Sequence, residues 1–178
     1  MRKTLLYIAL PFIFWQCQEA ETVTPVDTTS AKTKLITAQK WNIFKYTIGT
    51  PNTPTRSISQ LATETTGPYY TDFSFAYITF KSDGTYNALE VYNELSENLS
   101  WEWIKNESEI NFQRPGLTEK QPAIVEVLDK SNLRLHYYYK KGLTPDSKWK
   151  TLSDDLRSKG FGIGFTEAYI IIDYLAAK

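Results

Sequence analysis

Two alternating aromatic segments joined by an Asp-Gly pair place the strongest constraint on the fold of this chain. Residues 73–80 and 85–92 each alternate between apolar and polar positions, and Asp83-Gly84 lies between them. Asp-Gly favours a tight hairpin because Gly, and to a lesser degree Asp, accepts a positive φ. The chain also contains 12 Tyr, 9 Phe and 5 Trp, and aromatic residues favour strands. The pattern therefore predicts an antiparallel hairpin within a β-rich domain.

Further strand candidates recur at roughly ten-residue intervals without helical patterns between them, which is typical of all-β barrels and sandwiches. These candidates are residues 41–48, 99–105, 109–113, 123–129 and 133–140. Residues 129–132 form a plausible turn between the last two. The sequence thus predicts an all-β fold, an antiparallel up-and-down barrel of about eight strands with long loops.

Three other segments have weaker patterns. Residues 34–40 suit one helical turn before the first strand. Residues 50–72 contain three prolines and many Thr and Ser, which predicts a long loop of the kind used as a lid or binding loop. Ile58 and Leu61 could anchor a short helix within that loop. Near the C-terminus, residues 152–157 suit a short helix that Gly160 stops.

The last apolar segment, residues 167–175, is rich in Ile and Tyr. We interpret it as the closing strand of the barrel, with a terminal helix as the alternative. The preceding stretch, residues 141–166, has the character of an insertion.

The N-terminus has the profile of an export signal. Arg2 and Lys3 precede an apolar run that is too short to span a bilayer, and the chain turns polar directly after Cys17. This lone cysteine resembles the acceptor of a bacterial lipoprotein signal, where diacylglycerol and acyl chains such as palmitate are attached. The alternative is a secreted protein with an unused thiol. We expect a signal peptide over 1–16, a flexible tether over 17–33 and one domain over 34–178.

The net charge and the cysteine content limit the classes of partner that we expect this chain to bind. Without residues 1–16 the chain carries 18 basic and 20 acidic residues, a formal net charge of −2. No strong field would attract nucleic acid, so we expect none as a partner. With Cys17 lipidated no disulfide is available, and the domain depends on its apolar core. We expect a monomer that contacts the membrane only through the lipid on Cys17.

Several motifs, in this order, resemble a family of lipocalin-like lipoproteins from Gram-negative bacteria. Lys40-Trp41 opens the first strand, residues 80–86 form the hairpin, and Trp101-Glu102-Trp103 lies on a later strand. A second hairpin joins residues 125–128 to residues 133–135. The resemblance implies a small barrel with an internal cavity for an apolar or amphipathic ligand, anchored at the outer membrane.

Catalytic and metal sites have little support in the sequence. His136 is the single histidine, and the alternation of its strand places it outside, with Leu133, Leu135, Tyr137 and Tyr139 inside. An enzyme would have to use His136 with Glu102 or Glu126. Asp154 and Asp155 could suggest calcium, although an acidic pair is more often a helix cap. We expect no catalytic residue, no metal and no cofactor.

Aromatic side chains are the candidates for ligand binding. They are Phe75, Tyr77, Trp101, Trp103, Tyr137 and Tyr139. In a small barrel, inward rings either fill the interior or line one cavity, so the alternative is that they are simply core. Trp41 is expected to plug the closed end of the barrel, while Trp149 between two lysines is expected to be an exposed contact or a rim anchor.

Two function hypotheses follow. The first is a lipid-anchored envelope protein that holds a small apolar or amphipathic ligand inside the barrel or under the 50–72 loop. The second is a non-catalytic interaction protein with a filled barrel, which contacts a protein or glycan through its loops and outer face. The second hypothesis relies on exposed aromatics at Trp149 or at Tyr69-Tyr70.

Overall fold

The computed structural model describes residues 29–64, 73–89, 95–113 and 120–178. Within these ranges the helices are Ala31–Thr37 (α1), Ile58–Glu64 (α2) and Asp146–Ser158 (α3). The strands are Lys40–Thr50 (β1), Thr53–Ser57 (β2), Tyr77–Phe80 (β3), Thr85–Leu89 (β4), Leu95–Ile104 (β5), Glu109–Gln113 (β6), Gln121–Leu128 (β7), Asn132–Lys140 (β8) and Glu167–Ala176 (β9). The predicted lipidation at Cys17, the signal peptide, most of the tether and Tyr69-Tyr70 lie outside the described residues.

The strands form a closed antiparallel barrel. Their order is β2-β1-β3-β4-β5-β6-β7-β8-β9, and an additional pairing between β1 and β9 closes the ring. Eight strands therefore make the barrel, and β2 is an extra strand attached to β1. The predicted all-β barrel is confirmed. β9 pairs with β1 from Trp41↔Ala176 to Gly49↔Tyr169, so the last segment is the closing strand and the helical alternative is wrong.

Both predicted turns are present, and their own side chains stabilise them. Asp83 accepts hydrogen bonds from the amide of Thr85 at 2.9 Å and from its hydroxyl at 2.7 Å, while Gly84 has φ of 82°. Asp129 accepts hydrogen bonds from the amides of Ser131 and Asn132 at 2.7 and 2.8 Å. These bonds satisfy turn amides that the strand ladders leave free.

The predicted long loop contains regular structure, which corrects the sequence interpretation. β2 lies within the 50–72 segment and pairs with β1 from Thr47↔Ser57 to Thr50↔Thr53. Pro54 is tolerated because β2 is an edge strand, where a missing amide costs little. The short helix anchored by Leu61 is confirmed as α2, with Leu61 fully buried.

A β-bulge in β1 redirects the strand. Ile43 is opposite Tyr174 and Lys45 is opposite Asp173, so Phe44 is an extra residue without a partner. Trp41 and Ile43 pack inward before the bulge, and Tyr46 and Ile48 pack inward after it. Phe44 itself is left 65% exposed on the outside. A bulge of this kind inserts one residue and shifts the alternation of the strand by one.

Two helices begin earlier than the sequence predicted. α1 starts at Ala31 instead of residue 34, because the Ser30 hydroxyl accepts a hydrogen bond from the amide of Thr33 at 3.0 Å and caps the helix. The ordered domain therefore includes residues assigned to the tether. α3 runs over Asp146–Ser158 instead of 152–157, since Trp149 and Leu156 on one face are both buried.

Helices cover both ends of the barrel. The first core lies inside the barrel beside α1, and its members include Ile36 and Trp41. The second core lies at the other end, where α2 and α3 contribute Leu61, Trp149 and Leu156. None of the described helices is both long and apolar enough to cross a membrane.

Candidate functional site

The barrel interior is filled by aromatic rings in mutual contact. Trp101 packs edge-on against Phe80 and Trp103, with ring centroids 5.1 and 5.8 Å apart. Phe112 contacts Tyr137 at 6.1 Å, and it also contacts Phe80 and Tyr86. Aromatic pairs at these separations are packed contacts of a protein core. The interior positions predicted to bind a ligand thus pack against one another.

The polar atoms of these rings bind protein groups. The Trp101 indole donates to the carbonyl of Lys81 at 3.1 Å, and the Trp103 indole donates to the Thr33 hydroxyl at 2.9 Å. The Tyr139 hydroxyl accepts a hydrogen bond from the Gln121 amide. Buried indole and phenol groups need such partners, and here the fold supplies them without a ligand.

Tyr137 lies between the two cores and packs against both. Burial raises the pKa of its phenol well above the ordinary value. The Tyr137 phenol therefore stays neutral and contributes to the packing of the core, because ionisation in this position would cost desolvation free energy.

Phe75 and Tyr77 lie on the outer face, which corrects their assignment as cavity residues. Ala76, Ile78 and Phe80 are the buried residues of this segment, and Phe75 is 38% exposed. The alternation over residues 75–80 is regular, and the face with Ala76, Ile78 and Phe80 is the inward one. Phe73 departs from this alternation because it precedes a turn, in which the Ala76 amide donates to the Phe73 carbonyl.

Trp149 is also placed differently from the prediction. It is buried in the second core, and its ring lies 6.0 Å from that of Phe165. Its place on α3, with Leu156 on the same buried face, turns it away from its lysine neighbours.

The predicted plug, Trp41, is in place. It is fully buried, and its indole donates to the Ile36 carbonyl of α1 at 2.9 Å.

The three candidate catalytic groups do not form one site. His136 Nδ1 lies 2.7 Å from Glu126 Oε1 on the outer face, and its ring contacts Tyr138 and Tyr169. The Nε2 atom is buried and has no hydrogen-bond partner among the described residues. Glu102 instead pairs with Lys120, and hydrogen bonds from Lys120 and Asn111 lower its pKa. His136 and Glu126 thus contact each other, whereas Glu102 lies in a separate ion pair.

The acidic pair on α3 lies in mid-helix and forms ion pairs along it. Asp154 binds Lys150 at 2.6 Å and Arg157 at 3.2 Å, and Asp155 binds Lys159. The predicted helix cap is therefore wrong. Within residues 29–64, 73–89, 95–113 and 120–178, no group of three or more His, Cys, Asp or Glu side chains could hold a metal ion.

A cleft lies beside the bulge, where β1 changes partners. β1 pairs with β3 only over Lys40–Asn42, and its pairing with β2 begins at Thr47. Ile43 still donates its amide to the Ala76 carbonyl at 2.9 Å, and residues 44–46 pair with neither β3 nor β2, while the bulge lies on their β9 side. We call the resulting depression of about 190 Å³ the seam cleft. Its lining residues are Phe44, Lys45, Tyr46, Ser57, Ser59 and Phe73.

The seam cleft combines rings with polar edges. Tyr46 and Phe73 form a ring contact at 6.2 Å, and the bulge turns Phe44 outward beside them. Ser57 and Gln60 cap the start of α2 reciprocally, with bonds of 2.8 and 3.2 Å, which fixes that wall. Lys45 adds a cation. An apolar surface with a few polar groups at its edge is the usual composition of a small-molecule site.

Sequence reasoning missed Phe44, Lys45 and Tyr46 because alternation alone does not reveal a bulge. The nearest signal was the 50–72 segment, predicted as a binding loop, which supplies Ser57 and Ser59 to the cleft. Phe73 follows directly after that segment.

The sequence matches no protein-family model and no curated protein. The resemblance to lipocalin-like lipoproteins therefore stays a prediction, whereas the strand pairing establishes the barrel fold.

Proposed function

We propose that this chain is a lipid-anchored, non-enzymatic binding protein of the cell envelope that takes a small apolar or amphipathic ligand in the seam cleft. The observation that carries the proposal is the break in the barrel wall, where β1 passes from β3 to β2 and leaves three aromatic rings around a depression. The anchor at Cys17 rests on the N-terminal sequence alone.

The cleft is favoured over the barrel axis because of packing. The interior rings contact one another at 5.1 to 6.1 Å, and the cleft is about 190 Å³. A ligand in the axis would have to displace close-packed rings, whose loss of contact is costly. A ligand in the cleft would cover Phe44, which is otherwise exposed to water.

The chemistry of the lining suggests the ligand class. Phe44, Tyr46 and Phe73 offer apolar contact area, and Tyr and Phe rings stack well on flat apolar groups. Lys45 and the two serine hydroxyls favour a polar or anionic end. The volume limits the buried part to a ring or a short chain, with the remainder in solvent.

The test is native mass spectrometry of the full-length protein, purified in mild detergent from its own host. We expect a discrete added mass that is lost on denaturation. Phe44→Ala should lose that mass. Phe75→Ala, an equally conservative change of another exposed ring, should keep it. After removal of the ligand, both variants should unfold at nearly the wild-type temperature, because neither ring is core.

A bare polypeptide mass from cells grown under several conditions would contradict this proposal. Equal ligand retention in both variants would place the ligand elsewhere on the molecule.

A second candidate function is an interaction protein that uses the outer face to bind a protein or glycan. The filled interior favours it, since a filled barrel is a scaffold without need of a ligand. Capture of one partner by the wild type and by Phe44→Ala alike, with no added small-molecule mass, would support this candidate over the first.

A further inference from the structure

The connection between β8 and β9, residues 141–166, carries two apolar side chains that project into solvent. Leu143 is 81% exposed and Ile163 is 88% exposed, which are the highest values among the large hydrophobic residues described. Single exposed apolar residues are common on protein surfaces and by themselves need no explanation. This pair is of interest because both side chains lie at one end of the barrel and the connection that carries them has a positive net charge.

The backbone holds both side chains at the same end of the barrel. The Lys141 amide donates to the Thr166 carbonyl at 2.9 Å, which brings the two ends of the connection together. Leu143 follows two residues after Lys141, in a turn where Gly142 has φ of 82°. Ile163 precedes Thr166 by three residues. The two exposed side chains therefore form the tips of adjacent loops.

Ile163 is exposed although the phenylalanines two residues before and after it pack into the core. Phe161 and Phe165 pack into the second core, and Ile163 lies between them. Gly162 and Gly164, with φ of 76° and 85°, shape the loop that turns it outward. Most L-residues avoid such φ values, so the glycines fix a projection that exposes Ile163.

The charge of the connection differs in sign from that of the rest of the chain. Residues 141–166 contain five basic and three acidic residues, a formal net charge of +2. The remainder after residue 16 contains 13 basic and 17 acidic residues, a net charge of −4. All three acidic groups lie on α3, where Asp154 and Asp155 are already paired. These carboxylates pair with Lys150, Arg157 and Lys159, so the cation beside the tips is Lys141, two residues before Leu143.

We propose that this end of the barrel docks on an anionic lipid bilayer, with Leu143 and Ile163 entering the headgroup region and Lys141 facing lipid phosphates. Apolar tips that enter the interface, together with cations that face anionic lipid, are the two terms that drive peripheral membrane binding. The proposal depends neither on a ligand in the seam cleft nor on lipidation at Cys17. The result of its test is therefore independent of the result for the proposed function.

The experiment uses the full chain with Cys17→Ala, so that one newly introduced cysteine is the single site for a thiol-reactive fluorophore. An environment-sensitive fluorophore is attached at Thr166→Cys, an exposed site beside both tips, or at Ser82→Cys as the control. Ser82 lies in the β3–β4 turn, at the end of the barrel where β1 begins. Vesicles of phosphatidylcholine alone are compared with vesicles that also contain phosphatidylglycerol.

We expect a blue shift from the position 166 reporter with anionic vesicles, little shift with neutral ones, and none from the position 82 reporter. Leu143→Ser and Ile163→Ser should each raise the lipid concentration for half-maximal signal about tenfold, as expected for lost burial of one apolar side chain. Lys141→Glu and added salt should weaken binding as well, because screening reduces attraction to the surface. Both tips are exposed, so these variants should fold normally.

An unchanged signal in the Leu143→Ser, Ile163→Ser double variant would overturn the proposal, as would equal shifts from both reporters. If vesicles give no signal while the tips are needed to retain a co-purifying protein, the surface binds protein and the lipid assignment is wrong.

Discussion

Truncation of Phe112 is the sharpest test of the filled barrel. Phe112 is 6% exposed, and its ring contacts those of Phe80, Tyr86 and Tyr137 at 5.9, 5.3 and 6.1 Å. In a packed core Phe→Ala removes the transfer free energy of the ring and leaves a cavity, which together cost about 3 to 5 kcal/mol. If the rings instead lined an open ligand cavity, the change would only widen it. The cost would then be near the low end of core truncations, about 2 kcal/mol.

The free energy of unfolding is measured by urea titration followed by tryptophan fluorescence and circular dichroism. For a chain of this size about 4 kcal/mol lowers the melting temperature by roughly 8 to 16 °C. The matched control is Phe44→Ala, an exposed ring on the bulge, which should change stability by no more than about 0.5 kcal/mol. Benzene should partly restore Phe112→Ala, since apolar cavities of this kind bind it. A loss of about 2 kcal/mol or less with no benzene effect would refute the packed interior.

Three further predictions concern stability. Gly49→Ala should cost about 1 to 3 kcal/mol by urea titration, because a Cβ there would lie 2.6 Å from the Tyr169 ring and overpack it; a neutral effect would mean that the ring moves away freely. Trp103→Phe should cost about 0.5 to 1.5 kcal/mol through its lost hydrogen bond to α1, and amide exchange in that helix should rise; unchanged exchange would show that α1 is held by other contacts. Hydrogen bonds from the Thr85 hydroxyl and amide lower the pKa of Asp83, so its stabilising effect should be complete above the unfolded value near 3.8 and vanish as pH falls through the lower folded value. Asp83→Asn should flatten that part of the pH profile of the melting temperature, and an unaltered profile would contradict the assigned role.

The barrel was predictable because most strands follow a simple period. On β8 the alternation placed Leu133, Leu135 and Tyr139 inside, and each is buried in the structure. The Asp83-Gly84 turn fixed one hairpin, because few dipeptides suit that backbone. Local chemistry alone specifies these features, so one sequence was sufficient to find them.

The seam cleft could not be predicted because it depends on register. One inserted residue, Phe44, reverses the inside and outside of β1, and that effect appears only once Tyr174 and Asp173 are known as opposite partners. The error at Phe75 and Tyr77 has a different cause. Alternation separates the two faces of a strand, but it does not say which face is buried, and here the buried face carries Ala76, Ile78 and Phe80.

Tertiary burial explains the errors on α3. Trp149 lies between two lysines, and sequence alone suggested exposure. The helix is longer than its apolar pattern indicated, and packing on the barrel end makes the Trp149 face internal. Helices in proteins owe most of their stability to such packing, so their limits are poorly encoded locally.

We propose that a ligand binds in the seam cleft, while aromatic rings fill the barrel interior. An experimental structure of the full-length protein with its co-purified ligand tests this most directly. The account predicts ligand density against Phe44 and Phe73, with the rings of Trp101 and Tyr137 in contact with protein only. Ligand density between Trp101 and Tyr137, with Phe44 free in solvent, would contradict it.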